Sequence, residues 1–242
     1  MKRILILTIL LMSSLAWAGS TTVVVGQGGG GGCVEDCDGF AICENMEGAG
    51  TPASWSDTVG TNGTIDWDDT TATVLKDTQQ LKMTRSGADV YSRFTLSAAD
   101  TYYFHFRVKA SDGTPAAAAN FFHLVNAASG AGLYLVWRTD GNIRCFHGTN
   151  YLTTSTTPIS GDNTMYHIWG QYTKATDGNN GVYKVWVNSS GDIDTATLVI
   201  DGSNGQCTAQ ITRAQPSRLV ADGTCYFDQL YINTSAIGDV CD

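Results

Sequence analysis

Three features of this 242-residue chain predict an all-β fold, with two antiparallel sheets packed face to face as a sandwich. Its apolar residues alternate with period two, as in Phe227, Gln229 and Tyr231 against Asp228, Leu230 and Ile232. Turn dipeptides punctuate the runs at Asp112-Gly113, Asp140-Gly141, Asp177-Gly178 and Asp222-Gly223. The composition, with 27 Gly, 4 Pro and abundant Thr, Val, Tyr and Trp, favours strands and turns, and no sustained segment carries a 3.6-residue apolar period.

Taken in order, residues 1–18 have the pattern of an export leader. Lys2 and Arg3 supply the positive start, Ile4 to Met12 the apolar run, and Ala16-Trp17-Ala18 the small-x-small cleavage site. The run is short for a bilayer span and no second one follows, so the reading is a protein without a membrane span, cut after Ala18 and secreted, extracellular or periplasmic. Residues 19–32 hold the run Gly26-Gln-Gly-Gly-Gly-Gly-Gly32, a flexible tether that lacks the Lys and helix of a phosphate loop. One domain over 33–242 then suits an all-β sandwich. Its strands are predicted at Phe40–Met46, Thr73–Val74, Gln80–Thr84, Val90–Leu96, Tyr102–Ala110, Ala119–Asn126, Gly132–Arg138, Asn142–His147, Met165–Thr173, Val182–Asn188, Gln206–Thr212 and Tyr226–Asn233. The acidic clusters Asp66, Asp68, Asp69 and Asp192, Asp194 read as a solvated loop and a turn.

A formal charge of −9 argues against nucleic acid as a partner, which needs a basic face. The cysteines, at 33, 37, 43, 145, 207, 225 and 241, favour disulfides in an exported chain, and their odd number leaves at least one thiol over. Cys33 and Cys37 have the spacing of half a zinc site, without the second half. A bridge from Cys241 to Cys33 or Cys37 would join the termini if the first and last strands are neighbours.

One hairpin fixes a register. With Tyr172 opposite Tyr183, Trp169 faces Trp186, Gln171 faces Lys184 and His167 faces Asn188. Ile168, Tyr172, Val185 and Val187 make the apolar face. The other face is a pair of indoles rimmed by hydrogen-bonding groups, which suits the C–H face and hydroxyl rim of a sugar ring. The same pair also fits a role in stiffening the sheet, or packing under a loop.

Three loose motifs, in order, resemble a concanavalin A-like lectin/glucanase domain of the laminin G-like kind. They are Glu44-Asn-Met-Glu-Gly48 with Trp55, Tyr166-His-Ile-Trp leading to Lys184-Val-Trp-Val-Asn188, and Tyr226-Phe-Asp-Gln-Leu-Tyr-Ile with Ile237-Gly238-Asp239. The resemblance implies a jelly-roll sandwich, adjacent first and last strands, glycan held on a concave sheet, and a structural calcium at Asp228 with carbonyls of Glu44–Glu47 and the side chain of Glu47. The related glucanases need Glu-x-Asp-x-Glu on one strand, and that run is missing here. A polysaccharide lyase on such a fold would draw on His123, His147, Tyr134, Arg138 and Arg144, of which Tyr134 and Arg138 share a face while the histidines cannot be placed.

The sequence therefore predicts an exported, non-catalytic carbohydrate-binding domain. Trp169 and Trp186 would stack on sugar rings, and His167, Gln171, Lys184 and Asn188 would bond hydroxyls. A surface-structural or adhesive protein and a lyase or glycosidase are the alternatives.

Overall fold

The computed structural model describes residues 39–44, 55–60, 63–68, 80–87, 89–110, 115, 117–147, 150–155, 159, 164–219 and 222–240. Among them are fifteen strands: β1 (Ile42–Glu44), β2 (Trp55–Gly60), β3 (Gly63–Asp68), β4 (Gln80–Arg85), β5 (Val90–Ala99), β6 (Thr101–Ala110), β7 (Ala119–Val125), β8 (Gly132–Trp137), β9 (Ile143–His147), β10 (Asn150–Thr154), β11 (Tyr166–Thr173), β12 (Gly181–Asn188), β13 (Thr197–Gly205), β14 (Ile211–Leu219) and β15 (Gly223–Asn233). They form a two-sheet antiparallel jelly-roll sandwich. An eight-stranded sheet runs β13-β12-β11-β6-β15-β4-β3, with β1 paired to β15, and a seven-stranded sheet runs β10-β9-β8-β7-β14-β5-β2.

The core lies between the sheets because each strand sends alternate apolar residues inward. Phe104 and Phe106 of β6 meet Phe122 of β7 across that gap, with ring centroids 4.8 and 4.6 Å apart. Gly170, opposite Phe104 on β11, makes room for this stack, since a Cβ there would fall 2.0 Å from the Phe104 ring. On β7 a register shift between Asn120 and Phe122 lets both Phe121 and Phe122 reach the core.

The expected hairpin register is observed: Tyr172 pairs with Tyr183, Trp169 with Trp186, Gln171 with Lys184 and His167 with Asn188. First and last strands are neighbours, with Ile42 opposite Ile232. Several expected boundaries differ. Asp66 and Asp68 lie on strand β3, not in a loop, where Asp66 faces Lys82 of β4. Residues 197–205, where the sequence predicts no strand, form edge strand β13, in which Gly202 leaves the space that the Tyr183 ring fills. Of the expected strand Gln206–Thr212 only Ile211 and Thr212 are in a strand. β14 instead continues through Pro216, which a register shift between Pro216 and Leu219 accommodates. Asp192 and Asp194 sit at a turn as expected, the Asp192 carboxylate accepting the N–H groups of Asp194 and Thr195. Thr73–Val74, the leader 1–18, the tether 19–32 and Glu47 lie outside the described residues. Cys43 is disulfide-bonded, while Cys145, Cys207 and Cys225 are free thiols buried within the domain.

Candidate functional site

The two outer faces of the sandwich differ in kind. On the eight-stranded sheet, β6, β11 and β15 point His105, Arg107, His167, Trp169, Asp228 and Tyr231 away from the core, yet all six are buried. Trp169 is 2% exposed. It joins Tyr231, Ile237 and Val240 in a second apolar cluster, and its Nε1–H donates to the Gly238 carbonyl at 3.3 Å. The aromatic pair expected from the sequence is thus formed on the outer face but roofed by the segment after β15. What remains beside it is an apolar cavity of about 160 Å³, lined by Tyr103, Trp169, Trp186, Ile193, Ala236 and Ile237.

The polar rim of that pair is engaged within the chain. His167 is 0% exposed, and its Nδ1 lies 3.0 Å from Nε2 of His105. Gln171 donates to Thr173 Oγ1, Lys184 pairs with Asp201 at 3.4 Å, and Asn188 donates to the Asp192 carbonyl and Thr195 Oγ1. Trp186 is half-buried, as are Gln171, Lys184 and Asn188, while Trp169 and His167 are covered.

Asp228, expected to hold calcium, is fully buried and faces Arg107 directly across the β6–β15 pair. Its Oδ1 accepts the Gln229 N–H at 2.8 Å, where the chain bulges and Gln229 takes a φ of 47°. Among the described residues no three His, Cys, Asp or Glu side chains gather as ligands. The other expected donors, the carbonyls of residues 45–47 and the Glu47 side chain, lie outside the described residues.

The outer face of the seven-stranded sheet is partly open, and it brings together residues from distant parts of the sequence. On β14, Ala214 lies opposite Phe94 of β5 and Ser217 opposite Tyr91, which sets Gln215 beside Arg93. Gln215 pairs with His123 of β7, His123 with Tyr134 of β8, and Tyr134 with Phe146 of β9. Arg93, Gln215, His123, Tyr134 and Phe146 thus form one row across five strands, roughly 19 Å at ~4.8 Å per strand.

The row is bonded along its length. Arg93 Nε donates to Gln215 Oε1 at 3.4 Å and another of its N–H groups to the Tyr91 hydroxyl at 2.9 Å, with the guanidinium 4.4 Å from the Tyr91 ring centre. Gln215 Nε2 lies 3.4 Å from His123 Nδ1. The His123 and Tyr134 rings pack with centroids 4.5 Å apart, and the Tyr134 hydroxyl donates to the Gly130 carbonyl. Burial lowers the His123 pKa to about 3, partly opposed by the Asp89 carboxylate, so the ring is neutral near pH 7. Burial also raises the Tyr134 pKa. Arg138 and Arg144 flank the row on the β8–β9 side, and Arg138 pairs with Asp140 at 3.0 Å. His147 is turned inward, its Nδ1 accepting the Cys207 N–H and its Nε2 facing the Thr173 carbonyl, which makes it a core residue.

The sequence reading missed Arg93 and Gln215 and left His123 unplaced. His123 and Gln215 are 92 positions apart and share no hairpin, so no local spacing links them.

No protein-family model and no curated protein matches this sequence. Among solved structures, the chain is similar to the cellulose induced protein Cip1, with a TM-score of 0.58 and 14% identity over 81% of this chain and 99% of that one. It is also similar to the alginate lyase vAL-1 from Chlorella virus, with a TM-score of 0.50 and 12% identity over 75% of this chain and 93% of that one. What these likenesses share is the jelly-roll sandwich.

Proposed function

We propose that this is an exported carbohydrate-binding domain of the concanavalin A-like kind that holds a polysaccharide across the outer face of its seven-stranded sheet. The observation that carries the reading is the row Arg93, Gln215, His123, Tyr134 and Phe146, which sets aromatic faces beside hydrogen-bonding groups on a partly open surface. Aromatic rings suit the C–H faces of sugars, and fixed polar groups suit their hydroxyls. The length of the row fits an extended polymer better than a single sugar. An architecture shared with Cip1 and an alginate lyase supports a polysaccharide partner. On the opposite face Trp186, with Gln171, Lys184 and Asn188 near it, offers a smaller surface, because Trp169 and His167 are covered. A bound calcium forms no part of this reading.

Affinity electrophoresis on a panel of neutral and acidic polysaccharides tests it. Tyr134→Ala should abolish the retardation shown by the parent, and Trp186→Ala should preserve most of it. Retardation lost in Trp186→Ala and kept in Tyr134→Ala would return the site to the indole pair.

Eliminative cleavage is a second reading, favoured by the contact between His123 and Tyr134. It is the weaker one, because a ring nitrogen lowered to about 3 is a poor base at neutral pH and the Tyr134 hydroxyl is already donating to Gly130. Unsaturated products absorbing in the ultraviolet, released from a uronate polymer, would establish it.

A further inference from the structure

The bonding along the row fixes where the His123 proton sits. A guanidinium only donates, so the Gln215 oxygen must face Arg93, and the amide NH₂ is thereby turned toward His123. Nδ1 of His123 must then accept, which leaves the proton of the neutral ring on Nε2. That Nε2–H is buried, in a residue 4% exposed, and has no acceptor among the described residues. Buried donors are nearly always matched, so one without an acceptor among the described residues is a place for the acceptor atom of a ligand.

The charge around it indicates which acceptor. Arg213 lies two residues before Gln215 on the same strand and face, half-buried, with no ion-pair partner among the described residues. As a diagonal neighbour of His123 it stands roughly 7–8 Å away across the strand pair. Arg138 and Arg144 share the face. Arg138 is already paired with Asp140, and the Asp89 carboxylate also acts on His123. Resting on the binding reading above, we infer that the bound polysaccharide is acidic, with a sugar carboxylate accepting the His123 Nε2–H beside the Arg213 guanidinium. Arg93 and Gln215 act as positioning residues that hold the imidazole in the donating tautomer.

Titration calorimetry at pH 7 with an oligouronide, and with the same oligomer after its carboxylates are reduced to alcohols, separates the possibilities. The parent should prefer the acidic oligomer. His123→Phe, which keeps the ring packing on Tyr134, should weaken acidic binding by about tenfold to a hundredfold and remove the preference for the acidic oligomer over the reduced one. Arg213→Gln should lower the salt dependence of acidic binding. Nitrogen-15 spectra of the free protein should show His123 neutral and protonated at Nε2, a readout independent of any ligand. Equal affinity for the two oligomers, or a proton on Nδ1, overturns the inference while the carbohydrate reading stands. Failure of every glycan to bind overturns both.

Discussion

His123 is neutral in the fold because its ring is buried, and that has a cost in acid. The unfolded chain takes up a proton near 6.5, whereas folded His123 does not until about 3. Over that window the unfolded state binds more protons, so stability falls as pH is lowered. His105 and His147 are displaced in the same direction, both chiefly by burial, and His105 also by the nearby His167 and Arg107. Urea midpoints should therefore drop between pH 7 and pH 5, where exposed carboxylates stay ionised. His123→Phe should flatten that drop by about 2 kcal/mol at pH 5, since each unit below 6.5 is worth about 1.4 kcal/mol. An identical slope in parent and variant would show that the ring is more solvated than its packing indicates.

At the scale of elements, the segment after β15 acts as a roof. Ile237 and Val240 lie on Trp169, and the Val240 N–H donates to the Gly191 carbonyl, tying the roof to the turn after β12. Ile237→Ala should cost about 2 kcal/mol, the low end for a buried isoleucine, and shift tryptophan emission to the red as the Trp169 indole becomes wet. Unchanged emission would mean that the remaining residues seal the indole unaided.

Legibility from sequence follows the same division into elements. The β11–β12 hairpin was readable to the residue, because aromatic and β-branched residues alternate on both sides of a short turn-rich loop and only one register buries Ile168 and Val185. β13 was not, since Asp201 to Gly205 has turn chemistry and only its place at a sheet edge, over Tyr183, holds it extended. The covering of Trp169 was equally hidden, because alternation assigns a side chain to a face and says nothing of what crosses that face. The row on the seven-stranded sheet depends on β14 lying between β5 and β7, a matter of long-range topology.

For the molecule as a whole, the decisive arrangement is that β15 lies inside the eight-stranded sheet, between β6 and β4, and also pairs with β1. It contributes Cys225, Phe227, Leu230 and Ile232 to the core. Removing residues 223–242 should abolish cooperative unfolding altogether, leaving no sharp thermal transition. A truncated chain that still melts sharply would show that the other strands form a self-sufficient unit.

That strand order bears on the sequence in which the fold can close. β15 follows its neighbours β6 and β4 in the sequence, so each of them keeps one edge unmatched until β15 has been made. A central strand made after both of its neighbours is a timing device: the sandwich closes only once β15 has been supplied.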